Sequence, residues 1–337
     1  MTRWLRDEVR KSFVAPWNAM VENSVFGPLD ADEIVDALDA ACRTTLGSAL
    51  REGFLYEVSV GVVIGCQLDD GRRIVAKGYQ PRWTSPFLTA VKRIQTALHE
   101  EGYPCAKPLD VELRVGNATL LVESVLPDPG KSALTDVTRD ALATGLADLI
   151  GRGRAMDEPD LALHPLRVPF DGPFREPHSP IFDFPATRTG AEWLEDIALR
   201  ARAILEEDTS PLVIAHTDWS SRNVRVDDRG PIAVYDWDSL ALVPESEAVA
   251  IGATTWSKSG RTNDPTPGAT DIERYLEMYE ARRGTPLTDV QRRAYRAAVV
   301  AVMAYTARCE HSIDPHEQRF TTTRPQLRLA AASLLVE

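Results

Sequence analysis

The sequence has no long apolar run, no paired cysteines and no excess of basic residues. Its longest apolar run lies near residues 297–304, well short of the roughly 18 residues that a membrane helix needs, so we expect no membrane contact. The four cysteines stand singly, which provides no zinc-binding spacing and indicates free thiols. The formal net charge of −12 argues against a nucleic-acid partner, since such partners are bound by basic surfaces.

The first residues also lack the features of an export signal. Residues 1–8 contain acidic side chains, whereas an export signal needs an apolar core. We therefore expect a cytoplasmic protein. Its oligomeric state is left open.

The pattern of the chain changes near residue 126. Before that point, a helical extension over residues 1–50 leads into short β-branched runs and one helix, predicted at residues 86–101. After it the periodicity is mostly helical. We therefore predict an α+β protein of two lobes: a small β-rich N-terminal lobe (1–126) with an antiparallel sheet, and a larger, mostly helical C-terminal lobe (127–337). Ligand sites are favoured in the cleft of such an arrangement.

Two further predictions concern the strands of residues 58–77 and the segment 157–187. The β-branched run over residues 58–64 is predicted as one strand that leads to a turn at residues 69–71, with a second strand at 73–77. Residues 157–187 are rich in Pro, Phe and His and are predicted as an irregular loop or insertion.

The most informative stretch covers residues 213–238. An apolar strand leads to His216 and Asp218 in a loop, and Asn223 follows where a strand resumes. A hairpin turns near residues 228–230, and the returning strand ends on Asp236. We therefore expect the side chains of Asp218, Asn223 and Asp236 to project from neighbouring strand ends into one space.

This set of side chains suits phosphoryl transfer. One carboxylate orients and deprotonates an attacking hydroxyl, while an amide oxygen and a second carboxylate hold Mg²⁺, a hard ion that prefers oxygen ligands and bridges a triphosphate. A lone His-x-Asp or a lone Asp-Trp-Asp would more often be structural. The ordered combination favours the functional interpretation.

The two motifs, His-x-Asp-x₄-Asn followed by Asp-Trp-Asp, resemble the catalytic and metal loops of the aminoglycoside phosphotransferase and choline kinase group, which has a kinase-like fold. The resemblance implies that Asp218 is the catalytic base and that Asn223 and Asp236 bind Mg²⁺. It further implies that His216 braces the loop and that Asp238 supports the metal site.

The resemblance extends more loosely to nucleotide binding, with ATP or GTP as co-substrate. Lys77 stands where the family keeps a lysine for the α- and β-phosphates, although a strand lysine is often a solvated edge charge. Glu123 and Val125 lie in a segment that resembles the hinge offering backbone groups to a purine, although an ordinary buried strand has the same pattern. Ser59 lies in the predicted phosphate-covering loop, which is poor in glycine.

One departure from the family's sequence pattern bears on the choice between an enzyme and a nucleotide-binding module. The helix at 86–101 lacks a glutamate in its middle to pair with Lys77. Gln95 stands there, so either it hydrogen-bonds the lysine or an acid comes from elsewhere.

We predict Mg²⁺-dependent transfer of the γ-phosphate of a nucleoside triphosphate to a hydroxyl of a small molecule, such as an aminoglycoside antibiotic, an amino alcohol or a sugar. The alternative is a kinase-like nucleotide-binding module without turnover.

The family binds its acceptor against the large lobe, so acids and aromatics of that lobe are candidate contacts. The competing interpretation is structural: the acids would lie on a solvated surface and the aromatics in the core. The candidates are Asp264, Glu277, Glu310, Asp314, Trp219 and Trp256.

Overall fold

The computed structural model describes residues 2–127, 129–130, 132–167, 169–179, 181–261 and 264–334. The chain folds into two compact units, Met1–Pro127 and Asp128–Glu337. The first unit contains a β-sheet with helices, and the second is mostly helical. The predicted α+β class is therefore confirmed, while the division into a small N-terminal lobe (1–126) and a larger C-terminal lobe (127–337) stays a prediction.

Three helices open the first unit, followed by a π-helical turn at Cys42–Leu46. The third helix begins with a capping box, in which the Asp30 side chain accepts hydrogen bonds from the backbone of Asp32 and Glu33. One face of each helix is buried in the core of the unit. The helices are α1 (Arg3–Val14), α2 (Pro16–Phe26) and α3 (Ala31–Ala41).

A five-stranded antiparallel sheet follows, and α4 (Ser85–Glu100) lies between its third and fourth strands in the chain. The spatial order is β1-β2-β3-β5-β4. The sheet core includes Val62, Ile64, Cys66 and Leu68 of the second strand. The strands are β1 (Leu50–Val58), β2 (Gly61–Leu68), β3 (Arg73–Tyr79), β4 (Pro108–Val115) and β5 (Ala118–Ser124).

The prediction of one strand over residues 58–64 is wrong. The run is divided between β1 and β2, which meet in a tight turn where the backbone N–H of Ser59 donates to the Gly61 carbonyl. Gly61 also allows close strand approach, because a Cβ there would lie 2.5 Å from the carbonyl oxygen of Gly78.

The second unit combines six helices with two short antiparallel strand pairs within its described residues. The strands are β6 (Leu212–His216), which pairs with β9 (Leu240–Pro244), and β7 (Val224–Asp227), which pairs with β8 (Gly230–Val234). The helices are α5 (Asp136–Gly153), α6 (Glu192–Leu205), α7 (Glu245–Thr255), α8 (Ala269–Arg283), α9 (Asp289–Ile313) and α10 (Thr323–Leu334).

Two short 3₁₀ helices, Pro159–Leu163 and Trp237–Ser239, also lie in the described part of this unit. Apart from the first of these, the described residues of the 157–187 segment form neither helix nor strand. None of the helices in the described ranges combines the length and apolarity needed to cross a bilayer.

Candidate active site

The loop after β6 is held in place from two sides. Trp219 is fully buried, and its indole Nε1 donates to the backbone oxygen of Leu142 on α5 at 2.8 Å. The backbone N–H of Ser221 donates to the Trp256 carbonyl at 3.3 Å, at the end of α7. Because a buried ring and a backbone hydrogen bond both anchor the loop, the side chains that it carries have defined positions.

His216, the last residue of β6, connects two backbone segments through its ring. Its Nδ1 accepts from the backbone N–H of Asp218 at 3.2 Å, and its Nε2 lies 2.9 Å from the Tyr235 carbonyl oxygen. An N–H only donates and a carbonyl only accepts, so this arrangement requires a neutral ring with its proton on Nε2. His216 thereby links the loop of Asp218 to the segment that precedes Asp236.

Asp218 and Asn223 are in direct contact. The amide Nδ2 of Asn223 donates to the Asp218 carboxylate Oδ2 at 2.7 Å and to the Asp218 backbone oxygen at 3.1 Å. Since Nδ2 makes both bonds, the amide oxygen Oδ1 takes part in neither of them. Burial raises the pKa of Asp218, and the nearby negative charge of Asp236 raises it further.

Asp236 has an unusual backbone conformation. Its φ of 63° and ψ of 49° are left-handed, a region that Asp tolerates better than most residues. Its Oδ2 accepts a hydrogen bond from the Ser239 hydroxyl at 3.0 Å, and the Ser239 carbonyl in turn accepts from the backbone N–H of Thr217 at 2.8 Å. Strained backbone of this kind is concentrated at functional sites.

Asp238 is buried in the 3₁₀ turn that follows Asp236. The ring of His164, from the 157–187 segment, hydrogen-bonds to the backbone of Asp238. Nδ1 of the same ring accepts from the backbone N–H of Leu166 at 3.1 Å. Through His164, the 157–187 segment is therefore connected to the turn that carries Asp238.

The structure thus places Asn223 in contact with Asp218, and the carboxylate of Asp236 close enough to raise the pKa of Asp218. In the described residues there is no group of three or more His, Cys, Asp or Glu side chains that could hold a metal ion. The magnesium set predicted from the sequence differs from such a group, because it contains an amide oxygen. The assignment of these residues as base and metal ligands stays a prediction.

In the first unit, Lys77 of β3 has a carboxylate partner that the sequence did not reveal. Its Nζ lies 3.0 Å from Oε1 of Glu123 on β5. Oε2 of Glu123 accepts from the Gln95 side chain of α4 at 3.1 Å, and Gln95 also donates to the Ala106 carbonyl at 2.9 Å. The acid beside Lys77 therefore comes from a strand, and Gln95 contacts that acid.

The two other residues predicted for nucleotide binding lie next to strand ends. Ser59 is exposed in the turn between β1 and β2. Val125 is partly buried and follows directly after β5. Their roles in nucleotide binding stay predictions.

Several of the candidate acceptor contacts have local partners. Asp264 accepts hydrogen bonds from the backbone of Ser259 and Arg261, and Asp314 accepts from three backbone N–H groups of residues 318–320. Glu310 is buried, and its Oε1 accepts from a threonine hydroxyl of α10 at 2.8 Å. The exposed Glu277 is paired with an arginine on its own helix, and both tryptophans are buried. These contacts support the structural interpretation of the set.

Solved structures share this fold at low sequence identity. An amicoumacin kinase in complex with AMP-PNP, Ca²⁺ and Ami is 10% identical, with 98% of this chain and 95% of that chain covered and a TM-score of 0.56. A microcompartment-associated aminopropanol kinase is 12% identical, with 85% of this chain and 88% of that chain covered and a TM-score of 0.55. Macrolide 2'-phosphotransferase from Brachybacterium faecium is 17% identical, with 90% and 98% covered and a TM-score of 0.50.

These likenesses show that the fold is that of kinase-like phosphotransferases. No curated protein sequence matches the chain. The model of the APH phosphotransferase enzyme family matches residues 66–296, more than half of the 337 residues, and so confirms the resemblance drawn from the two motifs. The chain belongs to the phosphotransferase enzyme family that this model describes.

Proposed function

We propose that the protein transfers the terminal phosphate of a nucleoside triphosphate to a hydroxyl of a small molecule, with Mg²⁺ as cofactor. The observation that carries the proposal is the contact between Asp218 and Asn223, with the carboxylate of Asp236 near enough to raise the pKa of Asp218. A base beside an oxygen-rich cation site is the arrangement that phosphoryl transfer needs.

In this proposal Asp218 orients the acceptor hydroxyl and accepts its proton as the oxygen attacks phosphorus. Its Oδ2 is directed by Asn223, so Oδ1 is the atom available to the hydroxyl. His216 holds the backbone of this residue. Positioning of this kind lowers the barrier because the reacting atoms start in the attacking geometry.

The same side chains fit magnesium. Oδ1 of Asn223 and the carboxylate of Asp236 are hard oxygen donors, which Mg²⁺ prefers. Asp218 and Asp236 also place two negative charges near each other, and a cation between acid groups removes that repulsion. When bound, the ion supplies charge neutralisation on the phosphates.

In this proposal, the first unit binds the nucleotide co-substrate, and the ammonium of Lys77 binds its phosphate oxygens. Ser59 and the backbone of residues 123 and 125 are proposed for the remaining nucleotide contacts. The likeness to a kinase solved with AMP-PNP supports a nucleotide co-substrate. Both ATP and GTP belong in the first assay.

The similar structures suggest which acceptors to test. Their names include amicoumacin, a macrolide 2'-position and aminopropanol. Antibiotics and amino alcohols are therefore the first classes to test, followed by aminoglycosides and sugars. A cytoplasmic location suits the nucleotide co-substrate and the four cysteines, which are free and buried.

The alternative is a kinase-like module that binds nucleotide without turnover. Gln95, in place of a helix glutamate, favours it. The absence of a helix glutamate is a weaker argument for this module because Lys77 does have an acidic partner, the carboxylate of Glu123.

The test is nucleotide consumption by purified protein with Mg²⁺, with and without a panel of these acceptors. We expect one acceptor class to stimulate consumption, and we expect the Asp218→Ala variant to abolish the stimulation. Phosphorylated acceptor should be detected by mass spectrometry in equal amount to the diphosphate. Tight AMP-PNP binding together with no turnover across the whole panel would favour the binding module.

A further inference from the structure

We infer that Glu123 is the positioning residue for Lys77, and that β5 supplies the acid beside the lysine, so that Gln95 rather than a glutamate suits the middle of α4. This inference rests on the proposed function, in which Lys77 binds the nucleotide phosphates. It assigns the Glu123 side chain a role separate from the purine contact predicted for the backbone of its segment.

The sheet register places the two charged groups together. Lys77 lies opposite Leu121 on β5, and Val75 lies opposite Glu123. Side chains two residues apart on a strand share a face, so Lys77 and Glu123 are diagonal neighbours on one face of the sheet. The distance of 3.0 Å between Nζ and Oε1 is a direct ion pair.

The pair is largely shielded from solvent. The side chain of Lys77 is 13% exposed and that of Glu123 is 15% exposed. An ion pair at this depth is screened less by salt than a surface pair, and loss of one partner leaves an uncompensated charge. Glu123 therefore restricts where the Lys77 ammonium can lie.

Gln95 holds the other end of the carboxylate. It is buried, and its Nε2 donates both to Oε2 of Glu123 and to the Ala106 carbonyl. A glutamate at position 95 would place a second negative charge against Glu123 and would turn an acceptor toward the carbonyl of Ala106. An amide donor is thus the side chain that suits this position once the acid stands on β5.

A double-mutant cycle tests whether Glu123 acts through Lys77. The variants are Lys77→Gln, Glu123→Gln and the double variant, and calorimetry measures AMP-PNP binding with Mg²⁺. We expect each single variant to weaken binding roughly tenfold, and the double variant to bind no more weakly than Lys77→Gln alone, since coupled residues are non-additive. A structural role for Glu123 would instead multiply the two losses.

The matched control is Glu112→Gln, an exposed glutamate of the neighbouring strand β4, which should bind AMP-PNP like the wild type. Melting temperatures identify any variant that fails to fold. Glu123→Gln alone leaves the Lys77 ammonium unpaired and could unfold the protein, whereas the double variant leaves neither charge. In that case the AMP-PNP affinities of Lys77→Gln and of the double variant still show whether Glu123 acts through Lys77. Gln95→Glu should lower the melting temperature, and an unchanged value would contradict the role of Gln95.

The outcomes separate the two proposals. Wild-type protein that binds no AMP-PNP overturns both the proposed function and this inference. Wild-type binding that is unchanged in Glu123→Gln, or losses that multiply in the double variant, overturns the inference alone.

Discussion

The amide nitrogen of Asn223 lies 2.7 Å from Oδ2 of Asp218, and this bond orients both side chains. It directs Oδ2 of Asp218 toward Asn223, while Oδ1 takes no part in this bond. It also turns the amide oxygen of Asn223 away from Asp218, which would otherwise repel it. In the proposed mechanism, this one hydrogen bond orients both the proton acceptor and a cation ligand.

Asp218→Asn should reduce turnover by on the order of 10²-fold or more, because an amide cannot accept the hydroxyl proton. AMP-PNP binding should change little, since the variant keeps the size of the side chain. Steady-state kinetics and calorimetry measure the two effects separately. Asp228→Asn, in the exposed turn between β7 and β8, is the control and should keep full activity. Full turnover in Asp218→Asn would exclude the proposed base.

Asp236→Asn should weaken the Mg²⁺-dependent part of AMP-PNP binding by on the order of tenfold or more, because a negatively charged ligand is lost. Asparagine is the suitable replacement, since it tolerates the left-handed backbone at this position. Titration with and without Mg²⁺ measures the difference. The same Mg²⁺ dependence in variant and wild type would show that Asp236 does not bind the ion.

The candidate site could be predicted from the sequence because its residues are close in the chain. Between His216 and Asp236 the chain makes a loop and one hairpin, β7 and β8. The turn between these strands has a strong local signal at Asp228 and Gly230. The spacing of three polar residues around one hairpin therefore predicts that their side chains lie near one another.

Other features could not be predicted, for two physical reasons. The turn between β1 and β2 falls at Ser59 and Val60, where Ser59 and Gly61 are weaker turn signals than an Asn-Gly or Asp-Gly pair, so the surrounding β-branched residues predict a single strand. The pairing of Lys77 with Glu123 depends on the long-range register of β3 and β5. In the chain, α4 and β4 separate β3 from β5, so no tight turn sets this register, and a shift by two residues would leave the same side chains on the same face.

Gly145→Ala should destabilise the second unit by about 1–3 kcal/mol, as expected for overpacking. A Cβ at Gly145 on α5 would lie 2.8 Å from Cδ of Pro231 and 3.3 Å from Cζ2 of Trp219. Since Trp219 anchors the loop of Asp218, turnover should fall as well. Chemical denaturation and kinetics measure the two effects.

The control for this substitution is Gly151→Ala on the same helix. A Cβ there has no neighbour within 4 Å, so the change should stabilise the protein by about 0.4–1 kcal/mol through the unfolded state. Equal effects at the two glycines would contradict the packing described for Gly145.

His164 should make the protein less stable in mild acid. Burial, followed by the positive charge of Arg167, lowers the pKa of His164 from 6.5 to about 3. Above pH 6.5 the ring is neutral in both the folded and the unfolded state, so it adds no pH dependence. Between pH 6.5 and 3 the unfolded chain binds a proton that the folded protein excludes, and the free energy of unfolding falls as the pH falls.

Linkage gives a loss of about 2 kcal/mol from His164 between pH 7 and pH 5. Denaturant titrations of the wild type and of His164→Gln at the two pH values measure it, and the variant should lose less stability by about this amount. Comparing the two proteins removes the contribution of every other titrating group, including His311, whose pKa burial also lowers. Parallel losses in both proteins would mean that His164 is protonated in the folded state, which its contacts with Leu166 and Asp238 do not allow.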